Sequence, residues 1–204
     1  MEIMLNDFES DALKEAGNIG MSHAANSLSE MINKKVTIDV PELNLAPLNE
    51  IKRIGVLEGS IVGLSLPIEG EISGDILITF SKKNALSLAR ILTGQEDVND
   101  ENFSPMEISA LKETGNILGT HFSNSLTDLL DLTIRPSLPN FIEDTIENIV
   151  EYTTKNWKHK AEYSLIFNTK FSAANDDIYG SFFLLMDSGS LELILSALKT
   201  KLGM

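Results

Sequence analysis

A glutamate and an asparagine three residues apart, Glu15 and Asn18, recur 98 positions later as Glu113 and Asn116. On a helix this spacing sets the two side chains side by side on one rigid face. A carboxylate accepts from a lysine or arginine, whereas a carboxamide both donates and accepts. Together they can hold the charged neighbour of an electrophile and orient a water towards it. Neither group is a strong nucleophile, and no histidine or metal-ligand cluster accompanies them in the sequence. The pair suits hydrolysis in which the substrate supplies metal and electrophile while the protein positions the water.

The repetition extends beyond the pair. Residues 11–28 align with 109–126 at 11 of 18 positions, and at the same offset Pro41 falls on Pro139. A match of that length without low-complexity sequence marks a duplicated unit. An exposed Glu–Asn pair on a helix is in itself ordinary. Here it is retained in both copies while the neighbours Asn33/Asp131, Thr37/Arg135 and Asp39/Ser137 differ. His23 and His121 also repeat, on the flank of their helices, where packing or hydrogen bonding is the expected use. No metal site is expected.

The elements that must position these residues follow from periodicity. A helix begins at Asn6, with Glu9 as capping-box partner. It turns Leu13, Ala16, Gly17, Gly20, Ala24, Leu28 and Met31 inward and sets Asp11, Glu15, Asn18 and Ser22 outward, within an arc of roughly 60°. Ser104, Pro105 and Glu107 start the second copy, with Leu111, Gly115, Leu118, Phe122, Leu126 and Leu129 inward and Ser109, Glu113, Asn116 and Thr120 outward. After the first helix, Val36–Val40 alternates as a strand ending at Pro41, and 42–50 reads as an extended connection. Strands over 55–67 and 71–80 meet at a turn over 68–70, and a helix over 84–92 stops at Gly94. An acidic linker, 94–103, leads to the second unit. There Gly74 matches Gly180, an offset of 106, so about eight residues have been gained. Within the gained stretch, 141–152 reads as an amphipathic helix without a counterpart in the first half. Strands over 161–171 and 178–186 and a helix over 190–201 complete the chain. The basic run 155–160, which holds Trp157 and His159, reads as a solvated turn.

Each unit is thus helix, strand, hairpin, helix. The expected class is α/β of the α+β type, a pseudo-twofold duplicated unit in which an antiparallel sheet carries two long motif-bearing helices on one face. The chain, 1–204, reads as one domain made of two repeats, about 6–94 and 104–202.

Composition narrows the partners. A formal charge of −14 leaves no basic surface for nucleic acid and disfavours anionic membranes. Cysteine is absent, so disulfides and thiolate metal sites are excluded. The acidic start lacks the basic and apolar regions of a signal peptide, and no apolar run approaches a membrane span. A cytoplasmic location is expected.

Asp11-x3-Glu15-x2-Asn18-x22-Pro41 and Ser109-x3-Glu113-x2-Asn116-x22-Pro139 resemble the [Asp/Ser]-x3-Glu-x2-Asn-x22-Pro signature of the CheC/CheX/FliY chemotaxis phosphatases. Both copies fit at every specified position. Two intact motifs in one chain resemble the free-standing CheC branch; CheX-like proteins carry one active helix per chain and dimerise, and FliY-like proteins add a switch domain. The resemblance implies a phosphatase acting on the aspartyl phosphate of a CheY-like response regulator. Glu15 and Glu113 would form a salt bridge to a lysine of the regulator, and Asn18 and Asn116 would orient the attacking water. Mg²⁺ would belong to the regulator, the chain needing no cofactor of its own. Pro41 and Pro139 would shape the strand end, with Asp11 and Ser109 in supporting places. The resemblance further implies the receptor deamidase CheD as a partner, with Ile142, Asp144 and Ile146 as contact residues. The alternative within the same resemblance is a non-catalytic adaptor that sequesters the phosphorylated regulator or binds CheD.

Overall fold

A computed structural model describes residues 5–53, 59–95, 100–155, 157, 162–173 and 176–203. In chain order it contains α1 (Asp7–Ile32), β1 (Val36–Pro47), a 3₁₀ segment (Leu48–Arg53), β2 (Ile61–Gly70), β3 (Gly74–Ser81) and α2 (Lys82–Thr93). The second half contributes α3 (Pro105–Leu130), β4 (Ile134–Pro136), β5 (Asn140–Asp144), α4 (Ile146–Thr154), β6 (Tyr163–Ala173), β7 (Asp176–Met186) and α5 (Ser188–Leu202). Most of the basic run 155–160, His159 included, and most of 94–99 lie outside the described residues.

The strands form one antiparallel sheet of seven, ordered β1-β6-β7-β3-β2-β4, with β5 also beside β2. The two hairpins meet at the centre, Gly74 of β3 opposite Met186 of β7 and Phe80 opposite Gly180. Outside them the halves exchange strands. The first half's β1 pairs with the second half's β6, and the second half's β4 and β5 pair with the first half's β2. The pseudo-twofold relation therefore passes between β3 and β7, and neither half closes its own edge.

Burial follows from having both faces covered. The first six residues of β2 and all but the end residues of β3 are buried, as expected of strands sandwiched on both sides. The larger core lies between one face and α1, α2, α3 and α5, centred on Phe122, Phe167 and Phe182, whose ring centroids are 4.4–6.4 Å apart. The long helices share one face, as the periodicity requires. A second core covers the other face, where Ile146 and Ile149 of α4 and Ile51 of the 3₁₀ segment pack on Ile61, Leu77, Ile166, Phe183 and Leu185.

Four expectations need correction. β1 does not end at Pro41 but continues to Pro47, because a register shift between Asp39 and Glu42 accommodates the proline. A bulge is where a strand tolerates a residue without an N–H. Residues 141–144 are strand, not helix: Phe141–Asp144 pair with Leu64–Ile61, and the helix starts only at Ile146, capped by Thr145. At the 98-residue offset α4 also has a first-half counterpart, the 3₁₀ segment that begins at Leu48. Finally, Met31 is 45 % exposed rather than inward.

Candidate active site

Both motif helices begin with reciprocal caps. Asn6 Oδ1 accepts from the Glu9 N–H, and Glu9 Oε2 accepts from the Asn6 N–H, each at 2.9 Å. Ser104 and Glu107 repeat the arrangement at 3.3 and 2.7 Å. Both glutamates are buried, and Arg90 of α2 braces Glu107 at 3.5 Å. Both helices end on a residue in left-handed conformation, Asn33 and Asp131. Their ends are thus fixed, and with them the rotation of each face.

The close seating of the helices depends on glycine. A Cβ on Gly17 would lie 3.2 Å from the Phe167 ring of β6, and one on Gly115 would lie 3.1 Å from Leu64 of β2. Each motif helix therefore rests on the hairpin of the other half. Gly20, also inward, meets the other motif helix rather than the sheet. A Cβ there would lie 2.6 Å from Ser125 Oγ and 2.9 Å from both the His121 carbonyl and Phe122 Cα, so α1 and α3 cross backbone to backbone. Above that crossing His23 and His121 stack with centroids 6.1 Å apart, and His121 Nε2 shares a hydrogen bond with Ser27 Oγ at 3.0 Å. Burial and the neighbouring His23 hold the His121 imidazole below its usual pKa. The matched histidines are thus part of the helix–helix contact.

On the outward faces Asp11, Glu15, Ser109 and Glu113 are exposed, while Asn18 and Asn116 are half-buried. Each asparagine sits where its helix meets the kinked outer strand. Asn18 Oδ1 accepts from the Val40 N–H at 3.1 Å, a backbone group freed by the register shift next to Pro41. Pro139 occupies the corresponding break between β4 and β5; it is buried, with Cγ 3.5 Å from a Cβ placed on Gly115. The two sites are not identical. Val40 is 2 % exposed, whereas its counterpart Leu138 is 79 % exposed, and the Asn116 carboxamide bonds to no described residue. What the arrangement offers is an exposed carboxylate for a cation and, one turn on, a carboxamide whose NH2 remains available to a water. It occurs twice.

Of the three residues expected to contact CheD, Asp144 is exposed, Ile142 half-buried and Ile146 buried. Ile142 packs against the second core from β5, and Ile146 is 3 % exposed in it. Asp144 precedes the Thr145 cap of α4, and its Oδ1 accepts from the Thr145 N–H and Asn148 Nδ2 at 2.7 Å each. The Val40 N–H and the Gly115–Pro139 contact escaped sequence reasoning, although the fixed distance from each asparagine to its proline was the signal for both.

The CheC-like family model matches the chain at residues 8–45 and again at 106–143, each match spanning a motif helix and its outer strand. Both halves of the chain thus match the CheC-like family in their motif regions. The CheY-P phosphatase CheC of Bacillus subtilis is 26 % identical over 203 residues, covering 97 % of this chain and 97 % of that protein. CheC1 of Halobacterium salinarum is 23 % identical, covering 87 % of this chain and 90 % of its own length. Among solved structures, FliY of Thermotoga maritima superposes with a TM-score of 0.78 at 20 % identity, covering 98 % of this chain and 100 % of that chain. That likeness establishes the CheC-like fold. Among the described residues no helix is long and apolar enough to cross a membrane.

Proposed function

We propose that this chain is a phosphatase that hydrolyses the aspartyl phosphate of a CheY-like response regulator. The observation that carries the proposal is the outward-facing pair of exposed Glu15 and half-buried Asn18, and its recurrence as Glu113 and Asn116 on a second fixed helix. The name and near full-length match of the Bacillus relative support the substrate class.

In this reading Glu15 or Glu113 receives a lysine of the regulator, a charge-assisted contact that fixes the approach. The carboxamide of Asn18 or Asn116 holds a water in line with the bond to be broken. The water oxygen attacks phosphorus, the bond from phosphorus to the aspartyl oxygen breaks, and the regulator's carboxylate and inorganic phosphate leave. The regulator's own Mg²⁺ neutralises charge on the phosphoryl oxygens, and this chain contributes position rather than a nucleophile. Pro139 acts by packing its strand break against Gly115 of α3, and Pro41 by interrupting the β1 ladder beside Val40.

The test is phosphate release from a phosphorylated CheY receiver at substoichiometric protein, comparing wild type with a variant carrying Glu15→Ala, Asn18→Ala, Glu113→Ala and Asn116→Ala. Wild type is expected to turn over many times and the variant to leave only spontaneous decay, with unchanged circular dichroism. Undiminished release by the variant refutes the assignment of these residues. A single stoichiometric capture without turnover would instead establish the sequestering adaptor.

A CheD-type deamidase remains the second proposed partner. Since Ile142 and Ile146 are committed to the second core, its contact on this reading uses exposed residues of α4 such as Glu151 and Tyr152.

A further inference from the structure

Two large apolar side chains stand in solvent at matched places. Phe8 is 71 % exposed and Met106 is 60 % exposed, and they are related by the same 98-residue offset as the Glu–Asn pairs. Both occupy the second position of a motif helix, where the positive end of the helix dipole favours an acidic residue. Neither is needed to close the helix end. That role falls to Leu5 and Phe103, the residues preceding the caps, which pack inward against the larger core. Residue type has drifted from phenylalanine to methionine while size, apolarity and exposure have been kept.

We infer that Phe8 and Met106 are docking residues for the receiver domain, extending each Glu–Asn face by one apolar contact at the N-terminal end of its helix. The inference rests on the reading that this face binds a phosphorylated receiver. Phe8, Asp11, Glu15 and Asn18 follow one another by three, four and three residues, which keeps them on one stripe of α1. Met106, Ser109, Glu113 and Asn116 do the same on α3. At about 1.5 Å per residue, Phe8 stands about 10 Å along the axis from Glu15 and about 15 Å from Asn18. A protein interface of standard size covers about 800 Å² per partner, a disc of about 16 Å radius. A receiver centred on Glu15 therefore covers Phe8 as well. The same holds for Met106 around Glu113.

Chemistry favours this occupant. A chain of formal charge −14 exerts no long-range attraction on a phosphoryl group. Affinity then has to come from short-range contact, and aromatic residues and methionine are the types enriched at interfaces.

The experiment measures steady-state hydrolysis of a CheY receiver phosphorylated from acetyl phosphate with Mg²⁺. It compares wild type, Phe8→Ala with Met106→Ala, the conservative Phe8→Leu with Met106→Leu, and the quadruple Glu/Asn variant. The alanine pair is expected to raise KM about tenfold with kcat unchanged, and the leucine pair to restore most of the affinity. An unchanged KM in the alanine pair, with the quadruple variant inactive, overturns the docking role alone. A changed oligomeric state in sedimentation with unchanged KM overturns it in favour of self-association. Full activity in the quadruple variant removes the underlying reading, and the docking role with it.

Discussion

Asp75 lies on β3, facing the second core, and is 2 % exposed. Its Oδ1 accepts from Ser65 Oγ at 3.0 Å, yet burial outweighs this bond and pushes the carboxyl up from 3.8 to about 7. In the unfolded chain the group titrates near ~3.9, so the folded protein binds the extra proton between those two values. Stability should therefore be fully present below about pH 4, fall as pH rises towards about 7, and level off above it. Three pH units of displacement at about 1.36 kcal/mol each set a ceiling of about 4 kcal/mol. Asp75→Asn keeps an oxygen to accept from Ser65 and removes the ionisation. At pH 8 the variant should be more stable than wild type by up to about 4 kcal/mol, and at pH 4 the two should agree. Urea unfolding at intervals between these limits, read as the difference between the two proteins, cancels the many surface carboxylates of this acidic chain. A difference that does not change with pH would show that Asp75 is ionised in the fold across the range, and that the burial argument fails.

Two further outcomes follow from contacts at the site. Asn18→Ala leaves the buried Val40 N–H without its acceptor and should cost about 1–3 kcal/mol in chemical denaturation. Asn116→Ala removes no such bond and should lie within about 0.5 kcal/mol of wild type; equal costs would refute the asymmetry. Gly20→Ala gains about 1 kcal/mol of helix propensity but drives a methyl into backbone atoms of α3, so about 1–3 kcal/mol of overpacking should leave it net destabilised. Gly17→Ala meets only ring atoms at 3.2 Å and should be the milder of the two in the same assay.

The helices were legible because their signals are local. The capping boxes at Asn6 and Ser104 and the glycine stop at Gly94 are contained within a few residues each, and the structure reproduces all three. The outer strands were harder to read. Pro41 ends a strand by any local rule, and only pairing with β6 across more than a hundred residues makes room for it in a bulge. Phe141, Ile142, Ile146, Ile149 and Val150 fit a helical stripe when taken alone. The alignment that reveals the repeat also sets Asn140–Asp144 on Glu42–Ala46, which reads as extended, and so argues against a helix over the first part. Of the site, the Glu–Asn faces could be read from spacing. The hold of Val40 on Asn18 could not, since it depends on a backbone donor exposed by tertiary register. Phe8 and Met106 went unremarked because a lone apolar residue near a helix start carries no signal until its exposure is known.

The exchange of outer strands bears on how such a chain could arise and change. A half that cannot finish its sheet from its own residues must finish it from another molecule, so an ancestor encoding one half could have been stable only as a pair of identical copies. In that ancestor every substitution would appear on both sides of the axis at once. Fusing the copies locks their ratio and lifts this constraint, so one side can be altered while the other is left in working order. The buried Val40 against the protruding Leu138, and the short 3₁₀ turn against the longer α4, are alterations of that kind. A single polypeptide can thereby keep two similar surfaces and tune them separately.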